Sequence, residues 1–403
     1  SDVYKRQGRD KSCAAGLPDA KHVVSPATPA PFTIAVPDVD LEDLRRRLDH
    51  VRWPDAVADA GWDYGTDLDY ARSLCAYWRD VYDWRAHERS LNALPQFRVE
   101  IDGLGIHFAH IRGQGPRPMP LVLTHGWPSS FYEMHKVIGP LSDPAAHGGD
   151  PADAFDLVVP SLPGYGFSDR PSARGLDTDR IAELWARLMT EVLGYERFGA
   201  QGGDWGAAVN TGLGLRHPER LIGLHYNMLV PPIDEAALTP EQLLWWEEVK
   251  AYRAREWGYV GLQSTKPQSL AFGLMDSPSG LAAWIVEKWR RWSDCDGDVE
   301  SVYSKDELLT NIMIYWVTRT IGSSLRLYYE TFGPMTGPPA YAGVEVPTGV
   351  AAFKEVNRPP RELCEPHFNI QRFTVMERGG HFPAMEVPGD LVDEVRAFFR
   401  PLR

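Results

Sequence analysis

Gln201-Gly202-Gly203-Asp204-Trp205-Gly206 is the stretch on which the fold turns. It follows a short strand-like run, Arg197-Phe198-Gly199-Ala200, and precedes the helix-compatible Ala207-Ala208-Val209-Asn210. A strand, a glycine-flanked turn and a helix in that order describe a nucleophile elbow, in which one side chain is held out at a sharp bend. Glycines on either side permit the tight packing and unusual backbone angles such a bend requires. The residue at the bend is Asp204, not serine. A carboxylate needs no base to act as a nucleophile, and its attack on a saturated carbon yields an alkyl ester. The turn therefore points away from esterase or protease chemistry, toward substitution followed by ester hydrolysis. A carboxylate capping a helix in a glycine-rich turn is the bland alternative, so the decision rests on partners.

Two partners lie downstream. Gly379-Gly380-His381-Phe382 follows the last strand-like run, Phe373-Thr374-Val375-Met376, and supplies His381 as a base. The preceding strand, Val344–Ala352, leads through Phe353-Lys354 to Glu355, the reading for an orienting acid, with Glu362, Glu365 and Glu377 as neighbouring competitors. The chain order Asp204, Glu355, His381 is nucleophile, acid, base, the order of the α/β-hydrolase fold. Upstream, His125-Gly126-Trp127-Pro128 follows the strand Leu121–Thr124. The backbone N–H of Trp127, paired with that of Trp205 after the nucleophile, would form an oxyanion hole.

The rest of the chain fits around this. Short apolar runs, Leu121-Val122-Leu123 and Leu157-Val158-Val159, alternate with helical segments near 131–142 and 180–194. That alternation predicts a mostly parallel, doubly wound α/β sheet with right-handed crossovers. Phe97–Ile101 and Ile106–Ile111 alternate with period two around Asp102-Gly103-Leu104-Gly105, so they form a hairpin. Residues 1–31 have no periodicity and read as a flexible leader outside the fold. Residues 32–95 read as a helical appendage: Leu41, Leu44, Leu48 and Val51 follow Asp40 as N-cap, and Tyr70, Leu74, Trp78 and Val81 make a second helix. These helices lack a nearby partner strand and must pack on something else. No strand pattern is found from 229 to 335, where runs such as Leu243-Leu244-Trp245-Trp246 suggest an all-helical cap. The cap divides the α/β core into 96–228 and 336–403, the latter closed by an amphipathic helix over Asp390–Phe399.

Composition sets the outer limits. The chain has 403 residues, 43% hydrophobic and 24% charged, a balance that supports a large folded core. Its formal net charge is −13, and such a surface repels phosphate backbones, so no nucleic-acid partner is expected. No apolar run is long enough to span a membrane, and no secretory signal is evident, so a cytoplasmic protein without a membrane anchor is expected. Cys13, Cys75, Cys295 and Cys364 have neither metal-like nor redox-like spacing, and the twelve histidines are scattered without an HExxH. Neither a metal nor a cofactor is expected.

Taken together, His125-Gly126-Trp127-Pro128, Gly164-Tyr165-Gly166-Phe167-Ser168, Gly202-Gly203-Asp204-Trp205-Gly206 and Gly379-Gly380-His381-Phe382 resemble the epoxide hydrolases of the α/β-hydrolase fold. The microsomal-type branch is the better match: Leu44–Pro54, Tyr82-Asp83-Trp84-Arg85 and Leu91–Phe97 echo its N-terminal epoxide hydrolase domain. The resemblance runs from about Pro31 to the C-terminus. It implies hydrolysis of a small hydrophobic epoxide to a vicinal diol through an ester on Asp204, with His381 activating water and Glu355 orienting it. It also implies two cap tyrosines that activate the epoxide oxygen. Gly258-Tyr259-Val260 matches the first, and Ser323-Ser324-Leu325-Arg326-Leu327-Tyr328-Tyr329-Glu330 the second, giving Tyr259 and Tyr328 with Tyr329 as the adjacent alternative. No cofactor is implied, and association into a homo-oligomer is left open. Two departures stand out. The segment Phe353-Lys354-Glu355 is shorter than usual, which would displace the acid, and the polar leader does not resemble the anchor of animal relatives. A haloalkane dehalogenase, with the same aspartate elbow and Trp127 and Trp205 as halide donors, is the rival enzyme, and halide release would distinguish it. A catalytically silent fold that binds an apolar ligand or a protein is the rival of another class.

Overall fold

The computed structural model describes residues 28–334, 343–355 and 358–403. Its strands are β1 (Ala30–Pro31), β2 (Gln96–Ile101), β3 (Leu104–Ile111), β4 (Met119–Thr124), β5 (Phe155–Pro160), β6 (Phe198–Gly202), β7 (Leu221–Tyr226), β8 (Val344–Ala352) and β9 (Phe368–Val375). Among the described residues they make one sheet in the order β1-β2-β3-β5-β4-β6-β7-β8-β9. The three pairings from β1 to β5 are antiparallel. All those from β5 through β4 to β9 are parallel. The parallel strands are the short apolar runs of the sequence: Leu121, Val122, Leu157, Val158 and Val159 are buried completely, as strands covered on both faces must be.

The helices are α1 (Asp38–Asp49), α2 (Leu68–Asp80) and α3 (Trp84–Leu91) before the sheet, and α4 (His135–Ser142), α5 (Thr178–Arg187) and α6 (Asp204–Arg216) within it. Between β7 and β8 come α7 (Pro240–Glu256), α8 (Gly258–Thr265), α9 (Pro267–Asp276), α10 (Pro278–Trp292), α11 (Lys305–Thr318) and α12 (Ile321–Phe332). After β8 come α13 (Arg361–Cys364), α14 (Pro383–Glu386) and α15 (Pro388–Phe399). Positions of β6 face opposite ways, Gly199 toward Phe399 of α15 and Gly202 toward Gly206 of α6, so helices cover both faces of the sheet. The stretch 229–334 contains no strand, and α7 and α11 each open with a capping box, Thr239 with Gln242 and Ser304 with Glu307.

The N-terminal helices pack on this helical insertion. Thr66 Oγ1 donates to the Ala283 carbonyl at 2.7 Å, and the Tyr82 hydroxyl meets Thr310 Oγ1 at 3.0 Å. Buried Leu74, Trp78 and Trp84 join the core there. Several expectations are corrected. Pro37, not Asp40, is the N-cap of α1, and Asp40 sits in its first turn, where an acid suits the positive end of the helix. Ala30 and Pro31 do not belong to a leader outside the fold: they pair with Arg98 and Phe97 as an edge strand. Residues 1–27 and the boundary near 335–336 lie outside the described residues. The hairpin turn is two residues long, Asp102 and Gly103, both with positive φ (52° and 76°), so Leu104 and Gly105 already belong to β3.

Candidate active site

Asp204, Glu355 and His381 follow the carboxyl ends of the parallel strands β6, β8 and β9, where open α/β sheets carry their sites. Thr124 at the end of β4 is in register with Gly202 at the end of β6, which sets the following turns side by side. Asp204 opens α6 with a φ of 47°, a left-handed conformation unfavourable to a non-glycine residue and sustained only by its surroundings. The packing is tight on both sides. A Cβ on Gly206 would stand 2.1 Å from the Thr124 carbonyl oxygen, and one on Gly126 would stand 2.3 Å from Asp204 Cβ. With no side chain at either place, the Trp127 N–H reaches Asp204 Oδ1 at 2.8 Å. The Trp205 N–H lies in the first turn of α6, whose amides have no intrahelical acceptor.

His381 completes the line. Its Nε2 is 3.6 Å from Asp204 Oδ2, and its Nδ1 is 3.1 Å from Glu355 Oε1. Nδ1–H donating to Glu355 leaves Nε2 facing the nucleophile, a tautomer assigned from the hydrogen-bond partners. Burial alone would pull the imidazole's pKa down. The Glu355 carboxylate and then Asp204 outweigh it, so the pKa is held well above its ordinary value. The short Phe353-Lys354-Glu355 segment does not displace the acid, because the Lys354 N–H binds the Gly379 carbonyl at 2.9 Å and folds the two loops together. Glu362, Glu365 and Glu377 are exposed, and Glu365 pairs with Arg361.

Tyr259 of α8 and Tyr328 of α12 lie over the same turn. The Tyr259 ring stacks on Trp127 (centroids 5.4 Å apart, 10° between planes), and Tyr328 stands edge-on to Trp205 at 4.6 Å. Their own centroids are 5.9 Å apart. Burial, reinforced by the negative charge of Asp204, pushes both phenol pKa values well above the ordinary one, so both stay protonated near neutral pH. Tyr329 faces a different surface groove, together with Arg326 and Lys266.

Some residues at the site had no sequence reading. Glu386 accepts the N–H groups of Gly380 (2.7 Å) and Asp294 (2.8 Å) on Oε2 and that of Phe382 (2.8 Å) on Oε1, bracketing His381. The His381 N–H itself donates to the Trp292 carbonyl at 2.9 Å, so the base loop is tied to the end of α10. Glu133 is buried and accepts the Ser129 hydroxyl. Burial raises its pKa to about 7, against the opposing Ser129 hydrogen bond. An acid in the otherwise apolar run His381-Phe382-Pro383-Ala384-Met385-Glu386 was the signal available for the first of these. Among the described residues no group of His, Cys, Asp and Glu is arranged to hold a metal. None of the described helices is long and apolar enough to cross a membrane.

The fold and this arrangement define an α/β-hydrolase-fold enzyme with an aspartate, in place of serine, at its elbow. The family model "Epoxide hydrolase N terminus" matches residues 29–134, and "alpha/beta hydrolase fold" matches residues 119–295. A provisionally named epoxide hydrolase of Stigmatella aurantiaca is 44% identical over 93% of this chain and 85% of its own length. Epoxide hydrolase 1 of Sus scrofa is 36% identical over 91% and 88%. The crystal structure of juvenile hormone epoxide hydrolase from the silkworm Bombyx mori superposes with a TM-score of 0.80 at 31% identity, covering 94% of each chain. The chain belongs to the epoxide hydrolase family and is an epoxide hydrolase.

Proposed function

We propose that the chain opens a small hydrophobic epoxide through a covalent ester on Asp204 and releases a vicinal diol. In the first step Asp204 forms a bond to one epoxide carbon as that carbon's bond to the ring oxygen breaks. The ring oxygen takes a proton from the Tyr259–Tyr328 pair, leaving a hydroxyalkyl ester and one phenolate. Esterification removes the charge on Asp204. His381 then keeps only Glu355 as a supporting carboxylate, so its pKa falls and Nε2 becomes free to accept a proton.

In the second step His381 takes a proton from water, and the resulting hydroxide adds to the ester carbon. The Trp127 N–H, already 2.8 Å from Asp204 Oδ1, and the Trp205 N–H bind the oxyanion, an effect worth about 3 kcal/mol per donor. Collapse expels the glycol, whose oxygen recovers the proton from His381. The carboxylic proton of Asp204 returns to the phenolate, and the sum is epoxide plus water to diol. One observation carries this reading: the Asp204 carboxylate lies between a backbone donor and an imidazole, beneath the rings of the buried Tyr328 and the half-buried Tyr259. The test is His381→Gln incubated with styrene oxide and examined by intact-protein mass spectrometry. An adduct of substrate mass that persists is expected. Absence of any adduct, with His381→Gln still turning over, would reject the mechanism.

A further inference from the structure

The last turn of α10 reads Lys288-Trp289-Arg290-Arg291-Trp292. Its two arginines engage groups at the surface: Arg290 donates to the Gly297 carbonyl, and Arg291 pairs with Glu256. Lys288 is buried, with 7% of its surface exposed. Lysine is among the residues least often found inside, because its ammonium must be stripped of water. Its one ion pair among the described residues is with Glu287, at 2.5 Å, whose side chain is more exposed (22% against 8%). The ammonium lies over the Tyr259 ring, 5.0 Å from the centroid, and 6.0 Å from that of Trp292. Lys288 and Trp292 are one helical turn apart on the same face, and Trp292 closes the corner by packing on Tyr259 and His381.

A buried ion pair does little for stability, and a methionine would fill this space as well. What only the ammonium supplies is a positive charge on the face of one ring. A neutral phenol already presents a negative face, and that face becomes more negative as the hydroxyl loses its proton. The attraction therefore grows along the reaction, which is the condition for speeding a step rather than merely binding. The Glu287 carboxylate opposes it, but from a position better screened by water. Tyr328 has no cation over its ring among the described residues. It packs instead against Trp127, Trp205 and Phe332.

We propose that Lys288, acting through Tyr259, makes Tyr259 rather than Tyr328 the phenol that gives its proton to the epoxide oxygen. This rests on the proposed role of the two tyrosines and goes further by assigning them different tasks. The O–H bond of Tyr259 breaks as the new O–H bond to the ring oxygen forms. The Lys288 ammonium stabilises the phenolate until the Asp204 carboxylic acid reprotonates it. Tyr328 holds the same oxygen by a hydrogen bond and stays protonated throughout.

The experiment is stopped-flow tryptophan fluorescence with enzyme in excess over styrene oxide, resolving ester formation from ester hydrolysis in the full chain. Lys288→Met should slow ester formation about tenfold, equivalent to about 1.4 kcal/mol, and leave hydrolysis unchanged. Lys288→Arg should recover most of the loss. In a Tyr259→Phe background, Lys288→Met should cost nothing further, whereas in a Tyr328→Phe background it should keep its full effect. Wild-type ester formation in Lys288→Met, or an equal loss with and without Tyr259, overturns the proposal. If Tyr259→Phe alone leaves ester formation untouched, the reading of the tyrosines fails instead, so the two failures are distinct. Should Lys288→Met not fold, Lys288→Gln against Lys288→Arg makes the same comparison of charge.

Discussion

Replacing Glu386 with glutamine separates the holding of the base from the base itself. The carboxylate accepts three backbone N–H groups, those of Gly380 and Asp294 on one oxygen and that of Phe382 on the other, at 2.7 to 2.8 Å. Glutamine fills the same space with only one oxygen. If that oxygen faces Gly380 and Asp294, the amide nitrogen meets the Phe382 N–H, donor against donor. A hydrogen bond to a charged acceptor contributes about 1.5–3 kcal/mol. One such bond is lost, and the other two fall to about half their strength, for a gross loss of about 3–6 kcal/mol. Two effects reduce this: the loop can relax, and the removed charge carried a desolvation penalty, evident in a pKa raised chiefly by burial. A net destabilisation of about 2 kcal/mol is expected. The kinetic consequence is selective. The loop carries His381, while Asp204, Tyr259 and Tyr328 stand on other elements. Ester hydrolysis should slow about tenfold to a hundredfold, the cost of a misplacement of about 1 Å, with ester formation nearly unchanged. Single-turnover stopped-flow and a denaturation midpoint measure both. Equal slowing of the two phases, or unchanged hydrolysis, would refute the reasoning.

Other consequences follow from the same geometry. Glu355 stabilises the imidazolium, so Glu355→Gln lowers the His381 pKa and should move the acid limb of ester hydrolysis to lower pH, with a lower plateau; a limb that moves upward contradicts the pairing. Gly206→Ala sets a methyl 2.1 Å from a backbone oxygen that cannot step aside. It should cost at least about 1–3 kcal/mol and abolish ester formation, and an unchanged thermal midpoint with full turnover would show the elbow to be looser than described. Glu88 accepts the Val36 N–H at 2.8 Å and the Trp84 indole at 3.2 Å. Glu88→Ala should leave buried donors unpaired at about 1–3 kcal/mol each and speed proteolysis near residues 30–40; unaltered proteolysis would count against this role.

What could be read from the residues alone depended on how far the backbone constrained them. The elbow was legible because its strained turn excludes side chains at Gly126 and Gly206 and leaves Asp204 conspicuous. β8 was legible over its full span because its apolar run is buried from Thr348 onward. β9 was read only from Phe373, although it begins at Phe368, since an edge strand alternates polar and half-exposed residues without a clear period. β7 is less legible, because Gly223 and His225 interrupt the short apolar run of Leu221–Tyr226. The strand at Ala30–Pro31 could not be found from pattern, because its pairing is set by β2, more than sixty residues away. Glu355 was a candidate because chain order restricts the acid to that loop. Glu386 and Lys288 were not, because a single charge in a helical stretch normally faces water and only tertiary packing turns it inward.

The central claim is that Asp204 is transiently esterified. One turnover in heavy-oxygen water, with enzyme in excess over styrene oxide, tests it most directly. Peptide mass spectrometry should find the label in the Asp204 carboxylate, and the diol from that first cycle should be unlabelled. Label in the diol, with Asp204 unlabelled, would mean that water attacks the epoxide directly and would contradict the account.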